Sequence, residues 1–390
     1  MVNAPASNSF LTLDQLNEKE SFYPLKVLVC EKCFLVQIDE YKAAGEIFDS
    51  NYAYFSSYSR SWLAHCENYV DLVTKRFNIT SASKVVELAS NDGYLLQFFK
   101  GRNIPHLGIE PTRGTAEVAV SKGIKTIIRF FGESCAKDII KEEGKADLIA
   151  ANNVLGHVPD INDFVKGTKA LLSEKGVMTA EFPHLLQLMK FNQFDTIYHE
   201  HFSYFSLTAI FRIFKENGLR IFDVEEIPTH GGSLRIYVDH GHTHGVEKSV
   251  ADLLEREKSL GMMSLDYYKS FQEAANKIKY QFLTFLIDAR TSKKRVIAYG
   301  AAAKGNTLLN YCGVKQDLIE FVVDASPHKQ GKFLPASHIP VVSEKSIRDS
   351  KPDYVVILPW NLKSEITEQL SYIRDWGGKF VIAIPELAIL

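Results

Sequence analysis

Between residues 84 and 182 the sequence alternates short apolar runs with stretches of helical spacing, and this alternation restricts the fold more than any other feature. Residues 84–88, 106–110, 146–151 and 176–182 have the length and apolar density of buried strands. Residues 94–100, about 114–122 and 161–172 carry apolar positions three and four apart, as helices do. Strands separated by helices close into a parallel sheet, because a parallel pair needs a long crossover and a helix supplies it. The expected class is α/β, with a doubly wound parallel sheet. Two later runs, 219–227 and 232–240, are expected as an antiparallel pair closing that sheet.

A chain of 390 residues outruns what one hydrophobic core serves, so several units are expected. Residues 1–49 form a small lead-in unit with β-type runs at 25–30 and 34–38. Residues 50–245 hold the α/β layer, entered through a helix that spaces Trp62, Leu63, Cys66, Tyr69, Val70 and Val73 along one face. Residues 246–292 lack proline and keep a helical pattern, which makes them a bridge. Residues 293–390 form a second, smaller α/β layer with strands at 295–300, 319–324, 354–358 and 379–384.

The sequence is 46% hydrophobic and 24% charged, an ordinary globular balance. A formal net charge of -2 provides no basic field for nucleic acid or an anionic membrane surface. No run approaches the roughly 20 apolar residues of a membrane span, and residues 1–10 lack the basic start and apolar core of a secretory signal. Cys30, Cys33, Cys66, Cys135 and Cys312 are odd in number and mostly isolated, as free thiols in a reducing compartment are. A cytoplasmic location is expected.

The run from Val85 through Glu87, Leu88, Ala89, Ser90, Asn91, Asp92 and Gly93 to Tyr94 and Leu95 passes from a strand into a helix through a tight turn. Small residues there let the backbone approach a ligand at the carboxyl edge of the sheet, and Asn91 tolerates the left-handed conformation such turns require. One strand later, Glu110 can accept hydrogen bonds from both hydroxyls of a ribose. A nicotinamide site would call for Gly-x-Gly-x-x-Gly to admit a pyrophosphate. This turn has one glycine, and Asp92 stands where the phosphate would lie. An acidic turn suits a sulfonium cation without phosphate; an ordinary strand–turn–helix is the plain alternative.

The same run resembles the first motif of class I methyltransferases, with Ala89 and Asn91 in place of two glycines. Glu87-Leu88-Ala89-Ser90-Asn91-Asp92-Gly93-Tyr94-Leu95-Leu96 is similar to the variant found in sugar C-methyltransferases of deoxysugar biosynthesis, and the likeness extends over nearly the whole chain. It implies a Rossmann-like S-adenosylmethionine domain, a smaller C-terminal α/β domain for a nucleotide sugar, and a short, degenerate zinc-ribbon-like N-terminal unit. The implied cofactor contacts are Glu87, Ala89, Asn91, Gly93, Glu110, Asn152 and Asn153.

Residues 194–206 are dense in proton-carrying groups: Asp195, Tyr198, His199, Glu200, His201 and Tyr204. His199 and His201 are too close for the helical His-Glu-x-x-His zinc arrangement, whose histidines lie one turn apart. The run fits either a polar loop ahead of a helix at 207–217 or a partly desolvated site in which a histidine acts as general base. The resemblance matches Tyr198, Glu200 and His201 to the family's Tyr-x-Glu-His. It implies that His201 removes the proton beside a 4-keto group, at carbon 3 of a nucleotide-linked 4-keto-6-deoxy sugar. Glu200 would orient it and Tyr198 would lie near the developing oxyanion. By the same likeness His157 is a second active-site histidine, Tyr52 is catalytic, and Tyr54 and His230 face the sugar.

In the second α/β layer, the small-residue loop 299–307 carries Lys304 at a strand–helix junction, where exposed amides and an ammonium can cradle phosphate. The resemblance continues through Lys329 and implies that both lysines help hold the nucleotide sugar. Cys30-Glu31-Lys32-Cys33 has the spacing of half a four-cysteine zinc site. The family's other pair comes earlier in the chain, and none precedes Cys30, so zinc is expected weakly, with the site lost or the chain starting late.

Three other readings stay open on the residues alone: an O- or N-methyltransferase, a nicotinamide-dependent sugar-nucleotide oxidoreductase, and a catalytically silent sugar-nucleotide binder. Thermal shifts with S-adenosylmethionine against NADH separate the oxidoreductase from the rest, and methyl transfer from labelled donor excludes the silent binder.

Overall fold

The computed structural model of this chain describes residues 3–48 and 55–390. Its larger sheet has seven strands, numbered here from the first of that sheet: β1 (Val85–Leu88), β2 (His106–Ile109), β3 (Thr126–Ile127), β4 (Ala146–Asn152), β5 (Leu172–Pro183), β6 (Arg220–Ile227) and β7 (Ser233–Asp239). The spatial order is β6-β7-β5-β4-β1-β2-β3. β1 runs parallel to β2 and β4, β2 to β3 and β4 to β5, while β7 is antiparallel to both β5 and β6. The doubly wound sheet and its antiparallel closure are thus as expected. All four residues of β1 are buried, which is why the run reads as continuously apolar apart from Glu87.

The entering helix, α1 (Arg60–Arg76), buries Cys66, Tyr69, Val70 and Val73 and is capped by Ser59, whose side chain accepts from the Trp62 amide. Several short or charged elements escape the sequence pattern, among them two in this α/β layer. β3 has two residues, too few for a recognisable apolar run. The helix Glu133–Glu143 buries only Cys135, Ala136 and Ile139 and is otherwise a charged face.

The smaller sheet contains β8 (Val296–Tyr299), β9 (Val322–Val323), β10 (Val341–Val342), β11 (Tyr354–Ile357), β12 (Lys379–Ile382) and β13 (Ala388–Ile389), in the order β10-β9-β8-β11-β12-β13. Only β13 runs antiparallel to its neighbour. The helical stretch before it breaks into Lys248–Ser259, Leu265–Lys269 and Phe271–Thr291. The first of these gives Val250 and Leu253 to the core of the larger sheet; the last gives Ile278, Phe282 and Leu286 to the core of the smaller one.

The N-terminal unit pairs Val27–Val29 with Val36–Ile38, and the latter strand then pairs with Ser203–Tyr204, just beyond His201. Leu11 meanwhile bonds reciprocally with Phe333 of the C-terminal domain, at 2.9 and 2.8 Å. This unit therefore ties the loop 194–206 to both larger domains.

The helix α2 (Leu207–Glu216), which follows that loop, is anchored by a buried carboxylate from the bridge. Glu257 accepts from His184 Nε2 and Leu207 N at 2.7 Å through Oε1, and from Thr208 N and Oγ at 2.8 and 2.7 Å through Oε2. Burial alone would lift its pKa, but the bonds from His184 and Thr208 prevail and lower it. Its contribution is therefore full above the ordinary carboxylate range and lost as pH falls through the lowered value. Replacing Glu257 with Ala should cost about 3–5 kcal/mol, because it leaves His184 and two helix-start amides unpaired in a dry interior. Urea unfolding at neutral pH measures this, and a loss under about 1 kcal/mol would mean that water takes the carboxylate's place.

Candidate active site

The turn after β1 holds Ala89, Asn91 and Gly93 at φ values of 57°, 48° and 77°. Ala89 therefore keeps a left-handed backbone without glycine's freedom, at a cost of about 1–2 kcal/mol that surrounding contacts must offset. At Gly93 the φ of 77° strains any side chain, and a Cβ would also have to displace the tip of Ile124, 2.4 Å away. Glu110, at the end of β2, fixes the turn from beneath: Oε2 accepts from the Asn91 amide and Oε1 from the Thr112 amide, both at 2.9 Å. Burial raises its pKa, against the pull of those amides. Asp92 receives Lys122 at 3.3 Å and also bonds the Ser57 hydroxyl.

Polar atoms collect at this edge without partners. Both oxygens of Glu87, Ser90 Oγ, Asp92 Oδ1, the whole amide of Asn152 and Asn153 Oδ1 are buried and unsatisfied among the described residues. Burial pushes the Glu87 carboxyl well above its usual range. Buried polar atoms are normally paired, so a cluster of orphans marks space for a polar ligand. A sulfonium-bearing nucleoside with amino, carboxylate and ribose groups answers that donor and acceptor set. The residues present fit S-adenosylmethionine.

Asn153, at φ 55°, leads to the next group. Its Nδ2 lies 3.1 Å from His230 Nε2, which must accept from an amide donor. His157 follows on the same connection, with its Nδ1 2.7 Å from the Glu200 carbonyl. His201 Nδ1 lies 2.7 Å from the Thr196 carbonyl. Because a carbonyl only accepts, both Nδ1 atoms carry hydrogen, and the basic lone pair of each ring sits on Nε2. The two imidazoles meet edge to face at 4.6 Å, and the Tyr198 ring lies 4.0 Å from that of His201. Burial holds His201 well below its ordinary pKa, with the charges of His157 and Lys304 adding to the effect. Burial likewise draws His157 and His230 down to about 4. At neutral pH all three are uncharged imidazoles.

The ring of His201 is therefore oriented by Thr196, whereas the sequence reading gave that task to Glu200. The Glu200 carboxylate accepts from Asn8 Nδ2 of the N-terminal unit at 2.7 Å. His199 turns away, its Nε2 3.1 Å from the Pro24 carbonyl. Tyr52 and Tyr54 lie outside the described residues.

Beneath His230 lies a charged support that no local pattern reveals. Glu181, at the end of β5, takes His65 Nε2 at 2.8 Å, Arg235 at 2.9 Å and the Thr229 hydroxyl at 2.7 Å. Burial would lift its pKa, but His65, Arg235 and Thr229 hold it at about 2. Trp62 stacks on His65 at 5.0 Å and meets His230 at 5.1 Å. The sequence places these residues on α1, β5 and β7 with up to 170 positions between partners, so only folding brings them together.

The C-terminal domain reaches into the same place. Trp360 donates to Asp195 Oδ2 at 2.7 Å and presses its ring on the backbone of Gly231, where a Cβ would lie 2.3 Å from Cη2. Lys304, at the start of the helix α3 (Ala303–Cys312), has its ammonium 5.0 Å above the Trp360 ring. Lys329 is engaged elsewhere, bonding the Ala301 carbonyl at 2.9 Å and Asp324 at 3.4 Å.

Zinc does not fit. Among the described residues no group of three or more His, Cys, Asp or Glu could hold a metal, and the half-exposed thiols of Cys30 and Cys33 supply two of the four positions a structural zinc needs. No described helix is long and apolar enough to cross a membrane.

A methyltransferase domain model matches residues 61–224, a C-methyltransferase C-terminal domain model matches 228–385, and a zinc binding domain model matches 1–48. The chain is 34% identical over 372 residues to the C-methyltransferase NovU of Streptomyces niveus, covering 95% of this chain and 88% of that protein. Among solved structures, the PH0226 protein of Pyrococcus horikoshii aligns with a TM-score of 0.40 at 14% identity, over 48% of this chain and 94% of that one. A methyltransferase of Anabaena variabilis aligns with a TM-score of 0.38 at 18% identity, over 46% and 86%. Likenesses of that grade carry no further argument.

Replacing Glu110 with Ala should weaken S-adenosylhomocysteine binding at least about ten-fold, since it removes a charged acceptor and frees the Asn91 turn. Calorimetric titration measures this, and a change of less than about two-fold would remove Glu110 from the donor site.

Proposed function

The chain belongs to the S-adenosylmethionine-dependent C-methyltransferases, and from that premise we propose that it methylates carbon 3 of a nucleotide-linked 4-keto-6-deoxy sugar through an enolate generated by His201. The observation that carries this reading is the state of His201: a neutral, desolvated imidazole with Nδ1–H tied to Thr196 and Nε2 left basic. An O- or N-methyltransferase acts on an atom that already has a lone pair and needs no enolate, so exchange at carbon separates it from this reading. Carbon beside a ketone becomes a nucleophile only on losing its proton.

S-adenosylmethionine, when bound, supplies an electrophilic methyl group. Glu87, Ala89, Asn91, Gly93, Glu110, Asn152 and Asn153 would hold it at the carboxyl edge of the larger sheet. His201 takes the proton from carbon 3, and the electron pair shifts toward the 4-keto oxygen. Tyr198 packs against the working imidazole, while His157, hydrogen-bonded to the Glu200 backbone, keeps the second ring in register. Glu200 keeps the loop joined to Asn8. In this reading His230 faces the sugar, Tyr52 is catalytic, Tyr54 binds substrate, and residues 293–390 receive the nucleotide. Five free thiols support a reducing, cytoplasmic setting.

Incubation of the protein in deuterium oxide with thymidine- and uridine-diphosphate-linked 4-keto-6-deoxyhexoses, without methyl donor, should place deuterium at carbon 3. His201→Gln should slow that exchange about 10²–10⁴-fold. Wild-type protein that transfers methyl to either sugar without exchange would refute the enolate. Since the working form is the neutral imidazole and burial lowers its pKa, the rate should stay level from about pH 8 down to about pH 6. An acid limb at or above about pH 7 would point to a different base.

A further inference from the structure

The enolate needs a partner for the charge that gathers on its oxygen. Lys304 has a buried ammonium with no hydrogen-bond partner among the described residues. An ammonium has three donors and a large desolvation cost, so leaving it unpaired inside a protein calls for a ligand. Its surroundings connect it to the reacting end of the site. The ammonium lies over Trp360; Trp360 bonds Asp195; and the next residue, Thr196, supplies the carbonyl that orients His201. The helix that carries Lys304 also bonds the loop through Thr307 and the Ile197 carbonyl at 3.3 Å, and Trp360 rests on Gly231 beside His230. Asp195 is too far to form an ion pair with Lys304, and its Oδ1 is buried without a partner as well.

These positions argue against a cradle for phosphate. Two neighbouring donors are engaged with a carboxylate instead: the Ala301 amide donates to Asp324 at 2.8 Å and Lys329 bonds it at 3.4 Å, and that acid disfavours a phosphate beside it. Resting on the reading of the reaction above, we propose that Lys304 is a catalytic residue whose ammonium hydrogen-bonds the 4-keto oxygen of the sugar and carries the negative charge that forms there. His201 Nε2 breaks the C–H bond and keeps the proton. The released pair forms the carbon–carbon double bond as the carbonyl pair moves onto oxygen beside Lys304. When the carbon–methyl bond forms and the carbon–sulfur bond breaks, the carbonyl returns with the ammonium still donating to its oxygen, and the ammonium is unpaired again only after the product leaves. Asp195, held by Trp360, offsets the cation without quenching it. Burial lowers the Lys304 pKa, which Asp195 opposes, and burial pushes Asp195 up to about 6. A dry ammonium placed in advance is the form in which such a charge acts most strongly.

The test uses the full chain as Lys304→Met, which keeps length without charge, and Lys304→Arg, which keeps charge at a displaced position. Deuterium exchange at carbon 3 under saturating thymidine- or uridine-diphosphate-linked 4-keto-6-deoxyhexose should fall about 10²–10³-fold in Lys304→Met, with partial recovery in Lys304→Arg. Affinity for thymidine diphosphate alone should stay within about two-fold of wild type. In NMR titrations without sugar, the His201 imidazole should titrate at higher pH in Lys304→Met, because a neighbouring cation is gone, and near its original value in Lys304→Arg. Normal saturated exchange with weakened thymidine diphosphate binding would make Lys304 a phosphate ligand and overturn the proposal. Exchange in the wild type and unchanged exchange in both variants would overturn it while leaving the His201 reaction standing. Methyl transfer to either sugar by the wild type without exchange overturns both.

Discussion

The hydrogen bond from His201 Nδ1 to the Thr196 carbonyl decides which nitrogen of the imidazole can take a proton, and the architecture around it keeps those two residues in register. Five residues of loop cannot hold that geometry alone. Beyond it, Ser203 and Tyr204 pair as a strand with Gln37 and Val36; before it, Asp195 is fastened to Trp360. The loop is thus fixed at one end by the N-terminal unit and at the other by the C-terminal domain. The next helix is pinned by Glu257 from the bridge. A base whose aim depends on a single backbone carbonyl requires such over-determination.

This explains why three units converge on one place. The larger sheet provides the turn, with Glu110 holding Asn91, and the connection with Asn153 and His157. Among its described residues the N-terminal unit has no metal-ligand cluster, and it joins the two domains: Asn8 holds Glu200, the Ser7 carbonyl accepts from Asn306 at 2.6 Å, and Leu11 bonds Phe333. Those contacts link the methyl-donor side of the molecule to the opposite domain, alongside Ile197 and Phe271, which pack against both cores.

Electrostatics divide the site into two kinds of buried group. Glu181 has both oxygens paired by His65, Arg235 and Thr229, and the carboxylate stays ionised because its partners outweigh its burial. Around the space for ligands, Glu87, Asn152 and Lys304 are buried and unsatisfied. A protein bears that cost where binding removes it, so the boundary between the two sets outlines where substrate and donor meet the chain.

From sequence alone the alternating apolar runs determined the doubly wound sheet and its antiparallel closure, since a parallel strand pair needs a helical crossover and period carries that information. The turn from Glu87 to Gly93 was legible too, because the residues that permit left-handed backbone are few. The two-residue strand Thr126–Ile127 was not, being too short to show a period, nor was the helix Glu133–Glu143, whose apolar positions Cys135, Ala136, Ile139 and Ile140 are outnumbered by charged ones. Within the site, His201 and His157 were legible as chemistry but not as geometry. Which nitrogen is basic, the pairing of Glu200 with Asn8, the Glu181 support, and the placing of Lys304 over Trp360 all join residues far apart in the chain. Hydrogen bonds and desolvation depend on distances in space, and sequence spacing encodes those only within an element.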